Sequence, residues 1–561
     1  MKVAQRAIPV IALAGFAFIG GAMTGARHEP RDLAAARWFA TAWADADYTR
    51  MHGLLAADQR GRITLRQFTA AYRRAATTST LQRIIVGGPA RRQADGSLEI
   101  QMRARTMVFG DLDGLLRLSW RGDGDAAGLV WVRHLVFPGL RAGEKLTRTV
   151  DFPPRATLQA RDGTVLAQGP DRLAGPAGPI AGGVSGQVGP IPAEQAAQYA
   201  ERGYPPEAIV GLTGLERELE AKLAGRPGGQ LKAGARRLAR VAPRRSGAVR
   251  SSVDPAVQAA AVTALAGRLG GIAVMRPRSG EVLALAGIAF SAPQPPGSTF
   301  KIVTLAGALE QGVVKAGAKF PVETKTVIEG VELENANGEA CGGSLASSFS
   351  HSCNSVFAPL GAKLGARRLF EAAERFGFNE KPSLIGAAPS TIPPPQELGD
   401  DLGVGSTAIG QGRLLATPLQ LATISAAIAN RGELVRPTVL RGGRTKRTRA
   451  TTREVARIVD RFMRRVITDG TGGAAAIPGV VVAGKTGTAE LRDTTPDEEV
   501  VPGDTLQPVT EDITDTDAWF VAYAPARRPR VAVAVLLVGQ GTGGDTAAPA
   551  ARQVLLAALK N

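Results

Sequence analysis

Three short strings in the second half of the chain contain the residues whose types and spacing best fit covalent catalysis. They are Ser298-Thr-Phe-Lys301, Ser352-Cys-Asn354 and Lys485-Thr-Gly-Thr488. A serine hydroxyl is a weak nucleophile at neutral pH, so it needs a base close by. A lysine amine serves as that base only where burial or a neighbouring cation keeps it uncharged. Together the strings predict an acyl-transfer site.

The first string lies where a helix is expected to begin. The Pro-Pro-Gly sequence at 295–297 would end any preceding element, and the mostly apolar run 298–310 predicts a buried helix. Because residues three apart share a helical face, the amine of Lys301 is expected to reach the Ser298 hydroxyl. Lys485 is the candidate for the cation that keeps Lys301 uncharged. Ser298 is therefore the predicted nucleophile and Lys301 its predicted base.

The second string is expected in a loop between two helices, because a polar stretch precedes it and an apolar run follows it. There Ser352 is predicted to relay a proton between Lys301 and the leaving amine. The side-chain amide of Asn354 is predicted to hold a peptide group of the substrate. His351 invites a Ser-His-Asp interpretation, but no second feature supports it, and it is interpreted as an ordinary loop histidine.

The third string also satisfies a phosphate-loop pattern, since residues 479–486 match G-x-x-x-x-G-K-[ST]. Three valines favour a strand over a flexible loop, and no amphipathic helix follows, so nucleotide binding is rejected. We predict instead an edge strand over 480–490 whose cation and hydroxyls bind a substrate carboxylate, through Lys485, Thr486 and Thr488. Gly487 is expected to let the substrate backbone approach closely, and one backbone N–H to stabilise an oxyanion.

Residues 251–561 resemble the transpeptidase domain of class B penicillin-binding proteins, a family whose signature joins S-x-x-K with a Ser-x-Asn string and K-T-G. Further strings resemble the same family: Asp254-Pro-Ala-Val-Gln258, Ile409-Gly-Gln-Gly412, Thr417-Pro-Leu-Gln420 and Trp519-Phe-Val-Ala-Tyr-Ala-Pro525. The resemblance implies a mixed α/β domain in which helices cover an antiparallel five-stranded sheet. It places the active site between that sheet and a helical lobe.

The resemblance also implies a reaction. Ser298 would attack the penultimate D-alanine carbonyl of a peptidoglycan stem peptide, with the N–H groups of Ser298 and Thr488 as the oxyanion hole. An acyl-enzyme would form, D-alanine would leave, and an amine from a neighbouring strand would complete the cross-link. β-Lactams would acylate the same serine, and cell-wall synthesis proteins at the membrane are the expected protein partners. No cofactor is expected.

Other activities use the same acyl-serine chemistry. A D,D-carboxypeptidase or a β-lactam sensor is the alternative to a transpeptidase. A β-lactamase fits less well, because it has no use for the anchor and pedestal expected below, and the intact motifs argue against a non-catalytic scaffold.

Residues 1–30 are predicted to anchor the chain in the plasma membrane as a single-pass helix. Lys2 and Arg6 precede an almost uncharged apolar run, 7–26, which is long enough to cross a bilayer. The positive flank predicts a cytoplasmic N-terminus and an extracytoplasmic catalytic domain. A cleaved secretory signal is the alternative.

Two further domains are predicted before the transpeptidase domain. Residues 31–147 combine two amphipathic helices with three strands, the last over 129–137, and resemble the cone-like, nuclear-transport-factor-like α+β domain of the methicillin-resistance transpeptidase. Residues 148–250 resemble the β-rich pedestal or dimerisation-type domain of the family, with a hairpin over 156–167. Alanines at 156 and 160 put the local salt bridges of the family in doubt. No glycosyltransferase domain is expected, and the oligomeric state is left open.

The formal net charge of +18 is unevenly distributed. Residues 226–250 contain eight basic and no acidic side chains, whereas residues 493–517 contain nine acidic and no basic ones. An external location and the lack of a stacking aromatic pattern argue against nucleic acid. The basic stretch is interpreted as a solvated face, with anionic envelope polymers or lipid headgroups as the alternative partners. The acidic stretch is expected to form a loop beside the cleft.

The chain has two cysteines, Cys341 and Cys353, twelve positions apart. A disulfide is chemically permitted outside the membrane, and its short loop would be worth on the order of 3 kcal/mol. Such a bridge would also restrain Ser352 and Asn354. Two buried thiols are the alternative. Two cysteines and four scattered histidines predict no metal site.

Overall fold

The structure is a computed structural model that describes residues 29–174, 183–490 and 516–560. Contacts divide the described chain into two discontinuous compact units. The first contains residues 29–154, 190–209 and 224–246, and the second contains the remaining described segments. The segment 148–250, expected as one pedestal, is thus shared between the two units.

The first unit begins with helices whose apolar faces form one core. These helices are Arg31–Ala44, Tyr48–Gly53, Ala57–Arg62 and Leu65–Ser79. Trp43 and Tyr72 are buried, with ring centroids 5.1 Å apart in an edge-to-face contact. Thr64 starts the fourth helix with a capping box, because its hydroxyl accepts from the Gln67 N–H and the Gln67 side chain bonds back. The two amphipathic helices predicted here are present.

An antiparallel sheet packs against these helices. Its strands are Leu81–Val86, Arg91–Arg92, Leu98–Thr106, Gly110–Arg121 and Gly128–Val130. Burial alternates along 98–106, as expected for a strand with one face on the core. The strand predicted over 129–137 is wrong beyond Val130, because residues 133–136 form a 3₁₀ turn instead. A second sheet of the unit joins Leu146–Asp151, Gly228–Ala233 and Arg236–Val241, and Ala196–Glu201 is helical.

The second unit includes the predicted hairpin, formed by Leu158–Gln159 and Val165–Gln168. Its turn requires glycine, since Gly163 has φ +101°. The same small sheet contains Leu173–Ala174 and Val249–Arg250. The short strands Val188–Pro190 and Ile209–Gly211 contain the chain positions at which the two units divide, and the short helices Gly214–Glu218 and Glu220–Leu223 belong to the second unit.

Four charged side chains form a buried cluster beside this hairpin. Glu216 pairs with Arg155 at 2.7 Å and with Arg172 at 2.5 Å, while Glu220 pairs with Arg155 at 2.7 Å. Each of the four side chains is at most 9% exposed. Buried ion pairs are thus present beside the hairpin although alanines stand at 156 and 160.

A five-stranded antiparallel sheet forms the centre of the second unit, as the resemblance implied. Its strand order is Val282–Gly287, Gly270–Met275, Val531–Leu537, Thr516–Ala524 and Ala483–Glu490. The last strand, here called the Lys485 strand, lies at the sheet edge. This is the position predicted for it.

Helices cover both faces of this sheet. Pro255–Leu265 and Ala548–Lys560 pack on one face, in a core that contains Ile272 and Val533. Alternate strand residues such as Ala273 and Trp519 face the other core, which includes Pro418–Ala429 and Arg453–Asp469. The remaining helices of the lobe are Lys301–Glu310, Leu345–Ser350, Asn354–Leu364, Ala366–Arg375 and Asp401–Ala408. Its small strands are Lys319–Glu323, Lys325–Ile328, Val331–Glu334, Cys341–Ser344, Glu433–Val435 and Arg447–Arg449.

Two predictions lie wholly or largely outside the described residues. The anchor over 1–30 is described only from residue 29, and the acidic stretch 493–517 only from residue 516. Among the helices that the structure does describe, none is long and apolar enough to cross a membrane.

Candidate active site

Ser298 and Lys301 lie in one tight turn. Residues Gly297–Phe300 form a 3₁₀ turn that continues into the Lys301–Glu310 helix, so the helix predicted to begin at Ser298 begins three residues later. Side chains three apart eclipse one another in 3₁₀ geometry. Ser298 is partly exposed whereas Lys301 is fully buried. The turn thus combines a partly exposed serine with a fully buried lysine.

The Lys485 strand packs against this turn. Gly297 has φ +51°, and a Cβ there would lie 2.4 Å from the Thr488 carbonyl oxygen, so only glycine fits. A Cβ on Gly487 would lie 2.9 Å from Thr299 Cγ2 and 3.0 Å from the Pro296 carbonyl oxygen. Packing of the serine turn therefore explains Gly487, a different reason from the substrate approach predicted for it.

Ser352 connects the other two strings. It lies between the helices Leu345–Ser350 and Asn354–Leu364, as predicted, with an unusual φ of +63°. Its hydroxyl accepts a 2.8 Å hydrogen bond from Lys485 Nζ and lies 3.3 Å from Lys301 Nζ. One serine oxygen therefore bridges two buried lysine amines.

Burial sets the electrostatics of the two amines. The pKa of Lys301 lies well below 10.5, because burial disfavours its charge and Lys485 adds repulsion. Burial also lowers the pKa of Lys485, to about 7. Burial thus favours the neutral form of both amines, and for Lys301 the neutral form is the one that can accept a proton.

Asn354 contacts the base directly. Its Oδ1 accepts a 2.6 Å hydrogen bond from Lys301 Nζ, and its Nδ2 donates to the Glu334 carbonyl at 2.8 Å. Lys301 Nζ also donates to the backbone carbonyl of Ser352 at 2.7 Å. The asparagine amide predicted to hold substrate is thus occupied within the protein, where it orients Lys301.

The hydroxyls of the Lys485 strand differ in their surroundings. Thr486 is 5% exposed, and its hydroxyl lies 2.5 Å from that of Thr471, so it faces the protein interior. Thr488 is partly exposed and lies beside Gly297, as described above. Of the two threonines predicted to bind a carboxylate, Thr488 has the more accessible side chain.

Sequence reasoning missed three residues around the amines. Lys301 Nζ lies 5.7 Å from the ring centroid of Phe357, and Lys485 Nζ lies 5.7 Å from that of Phe349. Aromatic faces tolerate a cation while excluding water. Thr471 anchors Thr486 and donates its N–H to the Ser350 carbonyl at 3.2 Å. The Thr-Gly-Gly string at 471–473 was the available signal for Thr471.

Cys341 and Cys353 form a disulfide, with their Cα atoms 5.5 Å apart. The bridge fixes the residue between Ser352 and Asn354 to the Cys341–Ser344 strand. His351 is exposed, and its Nδ1 lies 3.0 Å from the Ser347 carbonyl. That local contact fits the interpretation of His351 as an ordinary loop histidine.

Comparison with protein families gives two matches. A model of the penicillin-binding protein transpeptidase domain matches residues 270–556, just over half of the chain. A model of the penicillin-binding protein dimerisation domain matches residues 138–237. The first range contains all three strings, and the second overlaps the segment expected as a pedestal.

Named relatives come from several bacteria. The chain is 36% identical over 299 residues to the peptidoglycan D,D-transpeptidase PbpA of Mycobacterium tuberculosis (strain CDC 1551 / Oshkosh), covering 48% of this chain and 56% of PbpA. It is 28% identical over 438 residues to the peptidoglycan D,D-transpeptidase MrdA of Acinetobacter baumannii, covering 66% of this chain and 64% of MrdA. The chain thus matches little more than half the length of PbpA.

Solved structures show the same fold. The crystal structure of PBPA from Mycobacterium tuberculosis has a TM-score of 0.56 and 27% identity, covering 72% of this chain and 99% of that one. Pseudomonas aeruginosa PBP2 in complex with WCK 5153 has a TM-score of 0.62 and 26% identity, covering 74% of this chain and 97% of that one.

Proposed function

The chain belongs to the penicillin-binding protein transpeptidase family, and on that premise we propose that it is a serine-type peptidoglycan D,D-transpeptidase acylated at Ser298. The single observation that carries the proposal is the Ser352 hydroxyl between two buried amines, 3.3 Å from Lys301 and 2.8 Å from Lys485. Such an arrangement supports proton movement from a serine to a leaving amine. The relatives PbpA and MrdA are both named peptidoglycan D,D-transpeptidases.

Acylation follows from the charge states of the amines. Lys301, kept neutral by burial, takes the hydroxyl proton of Ser298 while Ser298 Oγ bonds to the penultimate D-alanine carbonyl carbon. The proton passes through Ser352 to the departing nitrogen while the C–N bond breaks, so D-alanine leaves as a neutral amine. The N–H groups of Ser298 and Thr488 receive the oxyanion, and each such donor typically lowers the barrier by a few kcal/mol.

Deacylation reverses these steps with a different amine. An amine of a neighbouring stem peptide attacks the ester carbonyl, and its proton returns through Ser352 and Lys301 to Ser298. The cross-linked peptide leaves and the serine is regenerated. A β-lactam enters the same first step, because its ring carbonyl replaces the D-alanine carbonyl.

Substrate binding uses the Lys485 strand. The hydroxyl of Thr488 holds the terminal carboxylate. The ammonium of Lys485 is fully buried and donates to the Ser352 hydroxyl and the Thr486 carbonyl, so it attracts the carboxylate by its charge. Thr486, anchored by Thr471, maintains the strand. Asn354 orients Lys301, and Gly487 admits the serine turn. These roles extend the predicted site to its supporting contacts.

The N-terminal half is proposed to present this domain at the membrane. The helices over 31–79 and the antiparallel sheet after them support a nuclear-transport-factor-like module at 31–147. The match at 138–237 supports a dimerisation-type pedestal. We propose a membrane anchor at 1–30, an extracytoplasmic catalytic domain, and cell-wall synthesis proteins as partners. Alkaline-carbonate extraction tests the anchor, because a peripheral protein would be released.

Labelling with fluorescent penicillin tests the nucleophile. The full chain should form a covalent adduct whose peptide map places the label on Ser298, and Ser298→Ala should abolish it. Ser291→Ala, a change of the same type at a neighbouring exposed serine, should label normally. An adduct retained by Ser298→Ala would refute the site.

A donor peptide ending in D-Ala-D-Ala, with an amine acceptor, distinguishes the alternatives. Cross-linked product together with released D-alanine indicates a transpeptidase. Release without cross-linking indicates a D,D-carboxypeptidase, and penicillin acylation without release indicates a sensor. Either of the last two outcomes overturns the proposed reaction while leaving Ser298 as the acylated residue.

A further inference from the structure

A cleft lined mainly by arginines lies on the second unit. Its volume is about 460 Å³, and its lining residues are Arg161, Arg250, Arg276, Glu281, Arg441 and Gly442. They come from the hairpin turn, from the Val249–Arg250 strand, from the turn before Val282–Gly287, and from 441–442. None of them belongs to the candidate active site.

The charges in this cleft are unbalanced. Four guanidinium groups face one lining carboxylate, that of Glu281, which lies 3.7 Å from Arg161 and also accepts from the Gly442 N–H at 2.9 Å. Asp254, the cap of the Pro255–Leu265 helix, is the other acidic group acting on Arg161. Two positive charges therefore remain uncompensated in this group. Arg276 and Arg441 repel Arg161, whose side chain is only 13% exposed.

Several guanidinium donors in the cleft have no acceptor. Arg161 Nη1 is buried without a hydrogen-bond partner. Within the described part of the chain, the side chains of Arg250 and Arg276 show neither a hydrogen bond nor an ion pair, whereas Arg441 donates to the Arg161 carbonyl. A buried donor without an acceptor is costly, and an anion would supply the missing acceptors.

We propose that this cleft binds a phosphate-bearing anion, as a pyrophosphate or phosphomonoester group held by Arg161, Arg250 and Arg276. Guanidinium forks bind phosphate oxygens in pairs, which a single ammonium cannot do. A monovalent carboxylate would compensate only one of the two excess charges, so a group with two or more negative charges fits better. The same chemistry occurs in soluble oxyanions and in anionic lipid headgroups. The site adds a ligand to the proposed transpeptidase and does not depend on its reaction.

Calorimetry of the full chain in a neutral detergent, with inorganic pyrophosphate as the probe, tests the site. We expect one saturable site that weakens at least tenfold in Arg250→Gln and in Arg276→Gln. Arg278→Gln removes the same charge from an exposed side chain on the same turn, outside the cleft, and should leave the affinity within twofold. No saturable binding, or equal weakening by Arg278→Gln, would overturn the proposal.

Vesicles distinguish the two sources of phosphate. If a headgroup is the ligand, vesicles of phosphatidic acid, whose headgroup is a phosphomonoester, bind the full chain more tightly than they bind the Arg276→Gln variant. Phosphatidylcholine vesicles do not discriminate between the two proteins. If the vesicles bind the unaltered chain and the Arg276→Gln variant equally tightly, while pyrophosphate still binds the unaltered chain more tightly, the ligand is a soluble oxyanion. Penicillin labelling of Ser298 in both cleft variants should match the unaltered chain, which shows that they fold and separates this site from the transpeptidase proposal.

Discussion

The side-chain carbonyl of Asn354 accepts a 2.6 Å hydrogen bond from Lys301 Nζ, so the second string positions the base of the first. A neutral carbonyl orients the amine without adding charge beside it. The low pKa of Lys301, which burial and Lys485 produce, is thereby preserved. The choice of asparagine over aspartate follows from this requirement.

Asn354→Asp should shift the acylation profile to higher pH. A carboxylate within hydrogen-bonding distance stabilises the ammonium form of Lys301, so its pKa rises and less neutral amine is present at pH 7. We expect the second-order rate constant of penicillin acylation at pH 7 to fall by about tenfold or more and to recover as pH increases. Stopped-flow acylation between pH 6 and pH 10 measures this.

The matched variant Asn354→Ala distinguishes the effect of a charge beside Lys301 from the effect of losing the hydrogen bond that orients Lys301. It removes the acceptor without introducing a charge, so the rate constant should fall while the profile does not move to higher pH. Superimposable profiles for Asn354→Asp and Asn354→Ala would contradict the role of charge at this position.

Local sequence patterns predicted the secondary-structure elements of the site better than the hydrogen-bond partners of its side chains. The edge strand, the loop around Ser352 and the buried helix after Ser298 all follow from local patterns of apolar and turn residues. The hydrogen bond between Asn354 and Lys301 joins residues 53 positions apart. The hydrogen bond between Thr486 and Thr471 depends on which face of the Lys485 strand meets the segment that contains Thr471. Such partners are set by tertiary packing, and no periodicity encodes them.

Lys485→Met should stabilise the protein, and the gain should shrink as pH rises. Burial lowers the pKa of Lys485 from 10.5 to about 7, so between these values the unfolded chain binds more protons than the folded chain. Stability contributed by this group therefore rises with pH across that window, and the penalty that methionine removes is largest below pH 7. We expect the free energy of unfolding of Lys485→Met to exceed that of the unaltered chain by on the order of a few kcal/mol at pH 6.5, and by less at pH 9.5. Thermal unfolding at both pH values measures it.

Lys363→Met is the control for this comparison. Lys363 is exposed on the Asn354–Leu364 helix, so its replacement should give a difference that does not depend on pH. A stabilisation by Lys485→Met that stayed constant or grew with pH would show that the buried amine is not the source.

Removing the disulfide should weaken both stability and acylation. Cys341 and Cys353 close a short loop, a constraint worth about 3 kcal/mol in the chain-entropy model. Because Cys353 separates Ser352 from Asn354, its release loosens two groups that contact Lys301. The double variant Cys341→Ser, Cys353→Ser should melt several degrees lower and acylate more slowly. Alkylation with and without reductant, read by intact mass, checks the bridge itself, and two thiols alkylated without reductant would contradict it.

The buried charge cluster also could not be derived from local sequence. Arg155 and Arg172 lie 17 positions apart, and both reach Glu216, which follows them by 61 and 44 positions. The family's hairpin string is degraded at Ala156 and Ala160, so the pattern gave reason to doubt any ion pair there. The pairing of Arg155 and Arg172 with Glu216 is visible only after the chain has folded.

Glu216→Gln should destabilise the second unit strongly. Glu216 is 1% exposed and compensates two buried arginines, so losing its charge leaves guanidinium groups without sufficient negative partners. Removing one partner of a buried pair typically costs about 3–5 kcal/mol. Glu397→Gln is the matched control, because its pair with Arg413 has side chains 55% and 64% exposed, and such surface pairs contribute about 0–1 kcal/mol. Calorimetric melting of both variants decides the matter, since equal, small shifts would mean that the buried cluster contributes no more than a surface pair.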